Sequence, residues 1–167
     1  RTLHARLANG GELKILDPHQ NETVVTIAEM IIPATDTPGA TAAKVNEFID
    51  LVLGEWFDAN ERKGFLDGLA EVDARSRKRF GKDFTGCTPE QQTELLELLD
   101  AEVAALRDAD RQGQHREPGP SQRFFGTLKR FTLLGYFTSE VGVTEELHNP
   151  IIPGRYDGCV PLEQRGK

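Results

Sequence analysis

Histidine and cysteine are the residue types in this chain best suited to catalysis or metal binding, but their spacing supports neither. The histidines are His4, His19, His115 and His148, and none has another histidine or a cysteine at the spacing of a metal-ligand motif. The sequence contains neither a Gly-rich phosphate loop nor a dinucleotide-binding fingerprint. We therefore expect no catalytic, cofactor-binding or metal-binding residues in this chain.

The two cysteines, Cys87 and Cys159, are compatible with two different chemical states. They would form one disulfide in an oxidising compartment, or they would remain two buried thiols. If they pair, closing the long loop between them would stabilise the fold by roughly 4 kcal/mol on the chain-entropy model. Neither cysteine belongs to a C-x-x-C pair, so the sequence favours neither a redox motif nor a zinc site.

The net charge of the chain argues against nucleic acid as its partner. The sequence has 20 basic and 27 acidic residues, for a net charge of −7, whereas nucleic-acid binding needs a surface rich in Lys and Arg. No apolar run reaches the ~18–20 residues that a transmembrane helix requires. The sequence begins at Arg1 rather than Met, which fits removal of an export signal and equally fits a shortened recombinant chain.

The positions of proline, glycine and capping residues predict an all-α fold with five main helices. Asp17-Pro18 and Thr88-Pro-Glu-Gln91 have the composition of helix N-termini, and Gly81 that of a helix stop. The predicted helices span about 18–32, 41–56, 61–79, 89–107 and 122–137, and Ser121 would cap the last. They form a helical domain over 17–141, preceded by an extended arm over 1–16. An irregular tail over 142–167 would pack on the domain or on a partner.

Apolar periodicity distinguishes the second predicted helix from the fifth. The second has one stripe at i, i+3, i+4, i+7, i+8 and i+11, which predicts that all its members are buried: Val45, Phe48, Ile49, Val52, Leu53 and Trp56.

The fifth helix has large apolar residues on two opposite faces. On a helical wheel, Leu128, Phe131 and Gly135 fall within about 40° of Phe124, while Leu133 and Phe137 fall near 180–220°. The second face would either pack on another helix of the bundle or form a docking surface. Gly135 would let another backbone approach closely.

Several segments of the sequence resemble one protein family. They are TIAEMIIPATDTPGA (26–40), FIDLVL (48–53), FFGTLKRFTLLGYFTSEVG (124–142) and IIPGRYDGC (151–159). Together they are similar to the gluconate 2-dehydrogenase subunit 3 family, the small subunits of bacterial flavin-dependent sugar dehydrogenases. The resemblance extends over roughly 26–159, and IIPATDTPGA and LGYFTSEVG are its most distinctive parts.

The resemblance implies a non-catalytic subunit with a large partner. In this family the partner is an FAD-containing dehydrogenase of the glucose–methanol–choline (GMC) type that oxidises a sugar or polyol, and a c-type cytochrome often accepts the electrons. The small subunit typically carries a twin-arginine export signal and supports maturation of the large one, which implies a periplasmic location. We expect partner contacts from 33–38 and from these residues: Leu133, Tyr136, Phe137, Arg155, Tyr156 and Asp157.

Two alternatives to a permanent subunit follow from the same residues. The chain would be a transient export chaperone if it releases the flavoprotein after export. It would be an independent enzyme if Arg155, Tyr156 and Asp157 acted on a sugar by themselves. The sugar itself (gluconate, glucose, fructose or a glycoside oxidised at the 3-position) is not specified by this sequence, since specificity would reside in the other chain.

Overall fold

Five α-helices make up most of the part of the chain that the computed structural model describes, residues 13–148. In chain order they are α1 (Pro18–Ile31), α2 (Val45–Glu55), α3 (Ala59–Phe80), α4 (Pro89–Arg111) and α5 (Pro120–Phe137). A short 3₁₀ turn spans Phe84–Gly86, and a π-helical turn spans Gly142–Glu146. No strand occurs within the described residues. The prediction of an all-α fold with five main helices is confirmed.

Capping side chains mark where three of the five helices begin. Asp17 accepts a hydrogen bond from the Gln20 N–H at 2.8 Å, and Gln20 accepts one from the Asp17 N–H, so the predicted start of α1 is a full capping box. Thr88 caps α4 in the same way. The corresponding box at Asp58, which begins α3, was not predicted. The helix α5 starts after Gly119, so the predicted cap Ser121 is wrong, and its side chain is buried in the first turn.

Helix α5 occupies the centre of the bundle and packs against each of the other four helices, most extensively against α3. A Cβ on Gly68 of α3 would lie 2.4 Å from the Pro120 carbonyl oxygen, so this glycine allows the two helices to approach closely. Beside it, the rings of Phe65 and Phe124 meet edge to face with centroids 4.8 Å apart. The buried face of α5 is thus enclosed by the fold itself.

The structure corrects the prediction for both ends of α2. The helix begins at Val45 rather than Thr41, because Lys44 adopts a left-handed conformation (φ 54°) that a continuous helix cannot contain. It ends at Glu55, and the predicted core residue Trp56 is 63% exposed. Phe57 turns inward instead, and its ring centroid lies 5.7 Å from that of Phe131.

The segment before α1 is tied to α2 by one buried carboxylate. Asp50 accepts hydrogen bonds from the backbone N–H groups of Lys14, Ile15 and Leu16, each at 2.9 Å. The end of the predicted N-terminal arm, residues 13–16, is therefore fixed to the domain, while the rest of that arm lies outside the described residues. Among the helices of the described range, none is long and apolar enough to cross a membrane.

Candidate functional site

The outward face of α5 carries large apolar side chains at the surface. Leu133 is 41% exposed, Leu134 44% and Phe137 39%. Together with the exposed Arg130 they follow the spacing i, i+3, i+4 and i+7, so all four lie within about 100° of the helix circumference. We call these four residues the α5 stripe. An exposed apolar cluster of this kind is typical of an interaction site.

The opposite face of α5 is the core of the domain. Phe124 and Leu128 are 1% and 0% exposed, and Phe131 lies against Phe48 and Phe57. The two predicted faces therefore exist, but only one is covered by the bundle. Within residues 13–148, no helix covers Leu133 and Phe137, which are 41% and 39% exposed.

Gly135 lies on the buried face and sets the distance between α5 and α2. A Cβ at this position would lie 2.8 Å from Cδ1 of Phe48, closer than side-chain atoms pack. The neighbour that Gly135 accommodates is thus an aromatic ring of the same domain. The expectation that it would receive another backbone is wrong.

Tyr136 requires a correction as a predicted contact residue. Its side chain is only 1% exposed, and its hydroxyl donates a hydrogen bond to the Pro38 carbonyl oxygen at 2.8 Å. Its ring meets that of Phe137 edge to face, with centroids 5.2 Å apart. Tyr136 therefore belongs to the core, and its ring packs against that of Phe137 on the buried side. A buried phenol hydroxyl needs a hydrogen-bond partner, and the 33–39 loop provides it.

The 33–39 loop is closed by the carboxylate of Glu29. This carboxylate accepts hydrogen bonds from the N–H groups of Ala34 at 2.9 Å and Thr41 at 2.8 Å. Partial burial acts to raise the pKa of Glu29, but the hydrogen bonds from Thr41 and Ala34 outweigh it and hold the pKa below its ordinary value. A Cβ on Gly39 would lie 2.6 Å from the Ala34 nitrogen, so the loop can close only around a glycine.

The loop meets the last turn of α5, where Tyr136 is 98 residues from Pro38, and the chain that follows α5, where Glu146 is 109 residues from Thr37. Besides the bond from Tyr136 to Pro38, the Thr37 hydroxyl donates to a carboxylate oxygen of Glu146 at 2.7 Å. The segments 31–40 and 134–142, the most distinctive parts of the family resemblance, thus meet at one corner of the domain. Residues 33–36 are exposed at this corner, in the loop that Tyr136 of α5 contacts through Pro38.

The remaining predicted site residues lie outside the described range. Arg155, Tyr156, Asp157 and Cys159 all follow residue 148, so their contact roles and the Cys87–Cys159 disulfide stay predictions. Cys87 forms no disulfide within residues 13–148, and its sulfur lies 3.1 Å from the hydroxyl oxygen of Ser76.

One histidine–carboxylate pair, His19 with Asp73, connects separate elements of the domain. His19 Nε2 lies 2.7 Å from Oδ2 of Asp73, and Oδ1 of Asp73 accepts a hydrogen bond from the Phe84 N–H. The hydrogen bond to Asp73 raises the pKa of His19, with partial burial opposing it. This pair joins α1 to α3 and to the 3₁₀ turn. In the described range, no three His, Cys, Asp or Glu side chains gather closely enough to hold a metal ion.

The family model for gluconate 2-dehydrogenase subunit 3 matches residues 18–154, which include all five helices, the 33–39 loop and the α5 stripe. The chain belongs to the gluconate 2-dehydrogenase subunit 3 family. The family name denotes one subunit of a multi-subunit dehydrogenase. A search of curated proteins gave no match to this member of the family, and a search of solved structures gave none either.

Proposed function

We propose that this chain is the non-catalytic small subunit of a flavin-dependent sugar or polyol dehydrogenase. It binds and stabilises an FAD-carrying large subunit of the GMC type and assists its maturation and export. The observation that carries the proposal is the α5 stripe, an exposed apolar face on the central helix of a domain that belongs to a dehydrogenase-subunit family.

The energetics of the stripe favour a lasting contact. At about 25 cal/mol per Å², completing the burial of a half-exposed Leu or Phe side chain contributes roughly 1–2 kcal/mol. Leu133, Leu134 and Phe137 are adjacent, so one partner surface can cover all three. Obligate interfaces are large and apolar at their centres, which is the chemistry that this face offers.

The corner formed by the 33–39 loop would extend the same interface. Its exposed residues 33–36 are held in one conformation by Glu29 and Tyr136, so docking would require little further ordering of this loop. In our proposal Arg155, Tyr156 and Asp157 supply a further contact from the C-terminal segment.

We assign the redox chemistry to the other subunits. This sequence contains no dinucleotide-binding fingerprint, and in our proposal the flavin belongs to the large subunit. Haem c would belong to a third, cytochrome subunit. The family also motivates a periplasmic location reached by twin-arginine export.

Co-expression with a candidate GMC-type flavoprotein from the same organism tests the proposal. The large subunit would be produced with and without this chain, and its yield, its export and its dye-reducing activity on sugars would be measured. We expect all three to fall when the chain is omitted. Equal values in both cultures would refute the proposal.

The same preparation separates a permanent subunit from a transient chaperone and from an enzyme. Co-elution of both chains from a size-exclusion column after export supports the permanent subunit, whereas elution of the small chain alone supports the chaperone. Turnover of a sugar by the purified small chain with an added electron acceptor would identify an independent enzyme.

A further inference from the structure

A groove between α4 and α5 has a basic end beside the α5 stripe. This end has a volume of about 430 Å³ and is lined by Arg107 of α4 and by Lys129, Arg130 and Leu133 of α5, with Gly126 and Thr127. Because Leu133 and Arg130 belong to both surfaces, a molecule that covers the stripe also reaches the groove.

The other end of the groove is mainly apolar. It has a volume of about 500 Å³, and its apolar walls include Met30, Ile31, Leu96 and Phe125. Glu97 and Asp100 also line this end, so the carboxylate of a bound segment would lie at the basic end. Lys129 lines both ends, and its ammonium group lies 2.7 Å from Oδ1 of Asp100, so this ion pair marks the boundary between them. The groove thus offers an apolar compartment followed by a basic one.

Two of the three basic side chains at the basic end, Arg107 and Arg130, lack carboxylate partners. Neither Arg107 nor Arg130 forms an ion pair with any of residues 13–148, although the whole chain carries a net charge of −7. The Arg130 guanidinium lies 5.0 Å from the centroid of the Phe131 ring. By contrast, Arg75 is paired with Glu102 at 2.9 Å. Two adjacent unpaired guanidinium groups are suited to binding a carboxylate from another molecule.

We propose that this groove binds an acidic segment of the flavoprotein large subunit, so the inference rests on the proposed function. An apolar side chain of that segment enters the compartment at Phe125, and a carboxylate lies between Arg107 and Arg130. The two compartments together are too large and too open for a single small anion, and they match several residues of a peptide chain. Their continuity with the stripe through Leu133 makes the occupant the same molecule that covers the stripe.

Charge reversal with a matched control tests the assignment. The double variant Arg107→Glu/Arg130→Glu would be compared with Lys78→Glu/Arg116→Glu, which changes the net charge equally at two other exposed, unpaired positions of the described structure. We expect the first pair to raise the Kd for the flavoprotein by about tenfold at low ionic strength and the control by less than about twofold. Added salt should weaken the wild-type complex more than the Arg107→Glu/Arg130→Glu complex. Equal Kd values for the two double variants would overturn the assignment.

A photoreactive benzoylphenylalanine at Ala104, which lines the apolar compartment, identifies the occupant. We expect a cross-link to a flavoprotein peptide that contains Asp or Glu. A cross-link to a second copy of this chain, or none in an intact complex, would overturn the inference.

The outcome also distinguishes the two proposals. If Leu133→Asp weakens the complex but the Arg107 and Arg130 reversals do not, only the groove assignment fails. If the wild-type chain does not bind the flavoprotein, the proposed function fails, and this inference fails with it.

Discussion

Replacing Asp50 with alanine should destabilise the domain more than replacing any exposed carboxylate. The three N–H groups that Asp50 binds, all at 2.9 Å, differ in burial: that of Leu16 is buried, while those of Lys14 and Ile15 are partly exposed. Leaving a buried N–H unsatisfied costs about 1–3 kcal/mol, and each exchange of a partly exposed bond for water costs about 0.5–1.5 kcal/mol. We therefore expect a loss of about 4 kcal/mol in the free energy of unfolding.

Urea unfolding followed by far-UV circular dichroism would measure this loss. For a chain of this length the corresponding drop in Tm is roughly 8–16 °C. Asp67→Ala is the matched control, because Asp67 forms only an exposed ion pair with Lys63 on α3, and it should change stability by less than about 0.5 kcal/mol. Asp50→Asn should fall between the two, since it retains one acceptor oxygen and loses the charge.

The comparison has a clear refuting result. If Asp50→Ala and Asp67→Ala destabilise the domain equally, then the anchoring of residues 14–16 contributes nothing to the fold. A change in the slope of the urea dependence for Asp50→Ala would indicate loss of two-state unfolding, and the Tm difference would then decide.

Three further substitutions test the corner and the His19 pair. Gly142→Ala should lower the free energy of unfolding by more than about 2 kcal/mol, because the new Cβ would lie 2.0 Å from the Tyr136 carbonyl oxygen. Thermal unfolding would measure this loss. Tyr136→Phe should lower the free energy of unfolding by about 1–2 kcal/mol, because the Pro38 carbonyl loses its hydrogen-bond donor. It should also speed amide hydrogen exchange in the 33–39 loop, and unchanged exchange would contradict this. The raised pKa of His19 means that its bond to Asp73 stabilises the fold fully below about pH 6.5, and that this stabilisation is lost as the pH rises through the higher folded pKa. The wild-type protein should therefore lose stability over that window while His19→Gln does not, and parallel pH profiles would refute the role of the pair.

The helices were predictable from sequence because their signals are local. Asp17-Pro18 and Thr88-Pro89 supply caps and a tolerated proline within four residues, and the structure has both capping boxes. Gly81 ends α3 in a left-handed conformation (φ 75°), as its position predicts. Such features depend only on neighbours along the chain, so one sequence is enough to find them.

Which side chains of each helix are buried was less predictable, because burial depends on segments that are far away in sequence. Leu133 and Tyr136 are both large residues outside the central apolar arc of α5, yet only Tyr136 is buried. The difference arises from the 33–39 loop, whose Pro38 carbonyl receives the Tyr136 hydroxyl. The periodicity of a single helix contains no information about that loop.

The anchoring role of Asp50 was missed for a similar reason. From the sequence, the aspartate within the apolar run FIDLVL is expected to be exposed, since charged residues are rarely buried unless they are paired. Its partners are backbone N–H groups more than thirty residues earlier in the chain. Every residue other than proline has such a group, so the sequence does not show which of them Asp50 binds.

The most direct test of the central claim compares two leucines of equal exposure. Leu133 on the α5 stripe is 41% exposed, and Leu98 on the far side of α4 is 43% exposed. Each would be changed to Asp in chains co-expressed with a tagged flavoprotein, and the molar ratio of small to large subunit retained on the affinity resin would be measured. We predict that Leu98→Asp retains the wild-type ratio and that Leu133→Asp loses most of the small subunit. Equal retention of both variants would contradict the claim that the α5 stripe is the docking surface.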